Sequence, residues 1–187
     1  MIKVLVFLLA LTSSQVFAKT TLNLTKGEVS FLAIGRPSSL RVKGQGGAAK
    51  GQVIIDNDNV TGTVTFDMTS LTTGISLRDQ HMKEKYLDTP KFPESSLTVL
   101  KLDLSKDILT KSSGEQKTTF TGELTLKGVT KTINGEMTIS KSENTYSVTS
   151  EFKIHLPDFN VDIPKYMGIT IAEDVTVNVE STLETVK

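Results

Sequence analysis

Arg78, Asp79 and His81 stand within one short box, Arg78-Asp79-Gln80-His81-Met82, and bring together the guanidinium, carboxylate and imidazole from which acid-base sites are assembled. They could work as such a site only if all three converged on one cleft, which a single helical turn makes awkward. His155, the other histidine, alternates onto the polar side of a strand and reads as surface. The chain has no cysteine, so thiol catalysis and thiolate metal sites are excluded. It also lacks Gly-x-Ser-x-Gly and His-Glu-x-x-His, so no catalytic residue and no metal site is expected, and the chain does not read as an enzyme. The run Gly44-Gln45-Gly46-Gly47-Ala48-Ala49 matches a dinucleotide fingerprint loosely. A strand, Gln52 to Ile55, follows it where a helix is required, so it reads as a turn and no cofactor is expected.

The same box has a structural reading. Ser76 followed three residues later by Asp79 has the form of a capping box, with Asp79 in place of the usual Glu or Gln. A helix would start there, carry Leu77, His81 or Met82, and Tyr86 at helical spacing, and stop before Thr89-Pro90. Asp79 would then complete a cap, and Arg78 would lie on a solvated face or pair locally. This structural role is favoured for both.

Around the box, apolar residues recur at every second position, the pattern of strands with one wet and one dry face. Val60, Gly62, Val64, Phe66 and Met68 share one side of their segment. Phe120, Gly122, Leu124 and Leu126 repeat the pattern, as do Ile133, Gly135, Met137 and Ile139. Tyr146 to Leu156 and Val175 to Val179 continue it, and shorter candidates lie at Glu28 to Ala33, Leu40 to Lys43 and Gln52 to Ile55. Between Leu97 and Leu104 the alternation slips at Val99-Leu100, as a β-bulge would make it. Turns are expected at Asp56-Asn57-Asp58-Asn59, Ser112-Ser113-Gly114 and Lys127-Gly128-Val129-Thr130. About eight or nine one-sided antiparallel strands must close their dry faces on one another, so the fold class is all-β, and a barrel of that size either fills with side chains or holds one small ligand. Gly62, Gly122 and Gly135 lie on the dry faces, where they either mark bends or withhold side-chain volume from the interior.

The ends and the charge set further bounds. Met1 to Ala18 carries Lys3, an apolar run from Val4 to Leu11 and a Val16-Phe17-Ala18 end, the form of a secretory signal, so the mature domain is expected at residues 19–187 in the periplasm or outside the cell. Removing it takes one lysine from 21 basic residues and none from 21 acidic ones, leaving a balance one below zero. A near-neutral chain has no long-range attraction for nucleic acid. No apolar run is long enough for a membrane helix, and scarce aromatics without Trp argue against an outer-membrane barrel, which needs aromatic girdles. The sequence leaves self-association into a homodimer open.

The run Ser70-Leu71-Thr72-Thr73-Gly74, the Arg78-Asp79-Gln80-His81-Met82 box, Phe92-Pro93, and Gly122-Glu123-Leu124-Thr125-Leu126-Lys127-Gly128-Val129-Thr130-Lys131 together resemble the YceI-like family. That resemblance implies a lipocalin-like β-barrel holding a polyisoprenoid or other long-chain amphiphile. The residues then expected to line the barrel are Gly62, Val64, Phe66, Gly122, Leu124, Met137 and Phe152. Arg78, His81, Phe92, Phe159 and Tyr166 complete the set expected along the lining or at the mouth, with Arg78 as the candidate partner of a head group. Phe159 and Tyr166 fall on the long connection Pro157 to Asp174, which would serve as a lid. The rival expectation is a ligand-free stress or interaction protein whose barrel is packed throughout.

Overall fold

A computed structural model describes residues 19–56, 59–166 and 169–186. The expected signal segment lies outside the described residues, as do Asn57 and Asp58 of the first expected turn. Ten antiparallel strands account for most of the described chain: β1 (Thr20–Arg36), β2 (Arg41–Gly47), β3 (Lys50–Asp56), β4 (Asn59–Asp67), β5 (Glu94–Leu102), β6 (Ser113–Leu126), β7 (Val129–Ser142), β8 (Thr145–His155), β9 (Lys165–Tyr166) and β10 (Ile169–Thr185). The sheet closes because β1 pairs with β10, from Leu22 opposite Thr185 to Arg36 opposite Thr170.

Two of the ten strands do not add a position to the barrel. On its other edge β1 is long enough to serve two partners, β3 along Thr20–Asn23 and β2 along Glu28–Ile34. The strands β2 and β3 therefore act as one strand broken at Ala48, whose positive φ of 64° turns the chain between them. The two-residue β9 only flanks β10. What remains is the eight-position barrel expected from the alternation, with Leu100 as the extra residue of a bulge between Val99 and Lys101.

The lower half of the barrel is packed. Leu22, Ile55, Val60, Leu102, Ile139, Tyr146 and Leu183 are all buried there. A short helix, α2 (Lys106–Thr110), plugs the end. Ser105 caps it by accepting from the Ile108 amide at 3.4 Å, Ile108 is 3% exposed, and Lys141 Nζ donates to the Leu109 carbonyl at 2.9 Å. Five residues give too little periodicity to be legible as a helix, which is why Ser112-Ser113-Gly114 read as a plain turn. Ser113 and Gly114 instead open β6.

The three dry-face glycines sit where neighbours already fill the space. A Cβ on Gly135 would lie 2.5 Å from Phe120 Cε1 and 2.6 Å from the Glu151 carbonyl oxygen. One on Gly122 would meet Leu97 Cδ1 and the Thr98 carbonyl oxygen, both at 2.9 Å, and one on Gly62 would meet the Gln52 carbonyl oxygen at 2.5 Å. Of the two roles open in the sequence, close approach at bends prevails: Gly122 pairs with Val99 at the edge of the bulge.

Candidate functional site

The upper half of the barrel is hollow. A cavity of about 670 Å³ opens there, within the roughly 300–1,000 Å³ range of small-molecule sites. Its walls come from alternate residues of the long strands: Val29, Phe31 and Ala33 of β1, and Val175, Val177 and Val179 of β10. Phe66, Leu124 and Phe152 complete its deeper part. The Phe152 ring meets Phe120 edge-on, centroids 6.1 Å apart and planes at 88°, while Phe120 itself lies outside the lining. This pair divides the hollow half from the packed one.

A helix covers the open end. The α-helix α1 (Ser76–Gln80) runs directly into a π-helical stretch, His81–Tyr86, in which the Leu87 amide donates to the Met82 carbonyl at 2.9 Å. Two rows of side chains four residues apart, Leu77-His81-Lys85 and Arg78-Met82-Tyr86, line the cavity from this helix. Leu77 remains 58% exposed and Ile75, just before it, 53% exposed, so the apolar lining reaches the surface at the rim.

The Arg78-Asp79 pair fastens this lid, by a route other than the expected capping box. The N-cap position is Ile75, with no side-chain cap hydrogen bond. Asp79 instead reaches back to the preceding loop, accepting from Thr72 Oγ1 at 2.6 Å, from the Thr73 amide at 2.7 Å and from Thr73 Oγ1. Arg78 donates from Nε to Thr73 Oγ1 at 2.7 Å and from Nη2 to the Thr73 carbonyl at 2.9 Å. The same loop is tied to β2 on its far side, where Thr72 and Gln45 exchange amide-carbonyl bonds of 2.7 and 2.8 Å. Burial alone would raise the Asp79 carboxyl, but the hydrogen bonds from Thr72 and Thr73, with Lys83 nearby, outweigh it and hold it below its ordinary value.

Five of the twelve residues expected around the ligand line the cavity: Phe66, Arg78, His81, Leu124 and Phe152. Gly62, Val64, Gly122 and Met137 do not, because the barrel at their level is filled by side chains and backbone. Phe92 packs on the β6–β7 turn, its ring 2.6 Å from where a Cβ on Gly128 would stand. Phe159 is buried to 1% exposure at the end of a 3₁₀ turn (Leu156–Phe159), away from the lumen. The expected lid from Pro157 to Asp174 is thus largely structured, since β9 and the start of β10 lie within it. Tyr166 falls on β9, and its side chain lies outside the described residues, as does Met167.

The ionisable lining is sparse. Arg78, Lys85 and Lys165 supply cations, His81 an imidazole and Asp67 a carboxylate. Asp67 is engaged by Thr69, through its hydroxyl at 2.6 Å and its amide at 2.9 Å. The Thr69 hydroxyl, against the opposing effect of burial, keeps that carboxyl below its ordinary value. Among the described residues no cluster of three metal-ligating side chains occurs. Among the described residues the walls show no hydrogen-bonded acid-base pair, so the arrangement can solvate an alkyl chain and meet a polar head at the rim.

His155 lies beside the site, between cavity-lining Ile154 and Leu156. Its Nδ1 is 2.8 Å from Asp174 Oδ1, and its Nε2 is 3.8 Å from Glu173 Oε2. The Asp174 hydrogen bond, opposed by burial and supported by the charges of Asp158, Asp174 and Glu173, raises its pKa above 6.5. A raised imidazole pKa contributes stability that is complete below 6.5 and disappears as pH rises through the folded value. His155→Ala should therefore lower the melting temperature slightly at about pH 5.5 in low salt and leave it unchanged at about pH 8.5. An equal loss at both pH values would show that packing, not charge, holds His155.

Known proteins share this architecture. A polyisoprenoid binding domain from Saccharophagus degradans superposes with a TM-score of 0.72 at 16% identity, covering 88% of this chain and 98% of that one. BcnA of Burkholderia cenocepacia gives 0.65 at 18% identity over 83% and 95%, and the YCEI protein of Campylobacter jejuni 0.60 at 21% over 78% and 85%. In sequence, the UPF0312 protein plu2095 of Photorhabdus laumondii is 36% identical over 104 residues, 52% of this chain and 50% of the relative, so the match spans about half of each. The YceI-like domain family matches residues 20–183, nearly the whole of the described barrel, and the chain belongs to that family.

Proposed function

We propose that the protein is a carrier or sequestering protein for a long-chain amphiphile, not an enzyme, and that it holds the chain in the upper half of the barrel. The observation that carries this reading is the 670 Å³ apolar cavity under a fastened helix. Each methylene taken from water into such a space gains about 0.8 kcal/mol, so no specific chemistry is needed along the walls. The polyisoprenoid binding domain of similar fold supports an isoprenoid-like chain. The head group would rest at the rim beside Lys85, Lys165 and Arg78, whose Nη1 makes no hydrogen bond among the described residues. Export to the periplasm is part of the proposal and rests on Met1 to Ala18. It requires a mature N-terminus at Lys19 in protein released without detergent.

The test fills the lumen. Val29→Phe combined with Val177→Phe places two rings in the cavity, where empty space receives them, so the melting temperature should hold or rise. Displacing even four methylenes of ligand costs about 3 kcal/mol, so affinity should fall more than about 100-fold. Native mass spectrometry and lipid extraction on the same preparations read the outcome. A parent protein that carries and binds no lipid would return the ligand-free barrel with a stress or interaction role.

A further inference from the structure

We propose that the Phe120 and Phe152 rings form a floor that gauges chain length, so that the site takes a single-chain amphiphile of about 20 carbons and leaves any longer tail in water. This rests on the carrier reading and adds a limit to it. The cavity holds about 670 Å³, and a water-sized group takes about 30 Å³, so on the order of 20 methylene or methyl groups fill it.

No continuation is available below. Phe152 is the last ring of the lining on β8, and Phe120 lies against it outside the cavity, 2% exposed. Gly135 pairs with both across the sheet, and a Cβ there would collide with Phe120, so the glycine is what lets the ring lie flat against β7. Beneath the pair, Met137 and Ile139 follow Gly135 down β7 and are buried at 9% and 4% exposure, and α2 plugs the far end. At the other end Leu77 and Ile75 carry the apolar lining out to the surface. A chain therefore enters from the rim, runs down to Phe152 and stops.

The experiment uses the full mature protein after delipidation, with fatty acids and linear isoprenoid alcohols of about 10 to about 40 carbons competing against a bound fluorescent fatty acid. Affinity should rise about fourfold per added methylene up to roughly 20 carbons and stay level beyond. Phe152→Ala should move that break upward by roughly three carbons, the volume of the deleted ring. Leu124→Phe, which adds to the lumen next to the floor and does not hollow the core, should move it downward by about one carbon. If Phe152→Ala does not fold, Leu124→Phe decides alone. Affinity that keeps climbing past roughly 30 carbons in the parent, or a folded variant whose break stays where it was, would overturn the gauge while leaving the carrier intact. Absence of affinity at every length would overturn the carrier reading, and the gauge with it.

Discussion

Phe159→Ala should destabilise the barrel by about 3–5 kcal/mol and leave ligand affinity unchanged. Phe159 is the most deeply buried large side chain, at 1% exposure, and no part of it reaches the lumen. Its position follows from the turn that carries it. Asn160 takes the left-handed conformation (φ 54°), the Val161 amide donates to the Leu156 carbonyl at 3.1 Å, and Lys127 Nζ donates to the Asn160 carbonyl at 2.8 Å. Deleting the ring leaves a void that this tethered turn cannot collapse to fill. For a chain of this size the loss corresponds to roughly 10 °C of melting temperature. Thermal melting and ligand competition on one preparation test it, and weakened binding at an unchanged melting temperature would return Phe159 to the mouth.

Asp79→Ala should cost about 2–3 kcal/mol, more than the roughly 1 kcal/mol of a helix cap, because one carboxylate accepts three hydrogen bonds and its removal strands the Thr73 amide. Ser76→Ala should be nearly neutral, since no side chain caps that end. The pH dependence has a definite sign. A depressed carboxyl stabilises the fold above its unfolded value near 3.8, and that contribution is lost as pH falls through the lower folded value. The gap between wild-type and variant melting temperatures should stay constant from neutrality to about pH 5 and close only in stronger acid. A gap already closed at pH 5 would show that the carboxylate is not what ties the loop. Because the loop links β2 to the lid helix, the variant should also release ligand faster.

The alternation of Val60 to Met68, Phe120 to Leu126 and Ile133 to Ile139 made the barrel legible, and the slip at Val99-Leu100 even located its bulge. Period two reports which face is dry, however, and not whether the dry face meets side chains or space. Gly62 and Gly122 therefore read as candidates for the lumen although they lie in the filled half. The lid helix was legible from Ser76 and Thr89-Pro90. Asp79's partners were not, because a carboxylate three residues into a helix can cap or reach backward, and only the path of Thr72 and Thr73 decides. Leu40, Val42 and Ile171 line the cavity without any signal beyond apolar character, since strand closure alone sets their register.

The pairing of β1 with β10 sets the order of events in the life of the chain. Leu22 cannot find Thr185, nor Arg36 find Thr170, until nearly every described residue has been made. Loop closure over so long a separation is slow, and until it occurs β1 and β8 present bare edges able to pair with other chains. Folding from denaturant should accordingly be slow for a protein of this size, and a variant lacking β10 should aggregate instead of populating a smaller stable barrel. In a cell, that interval is when a chaperone would be needed, and only after it ends is there a lumen to load.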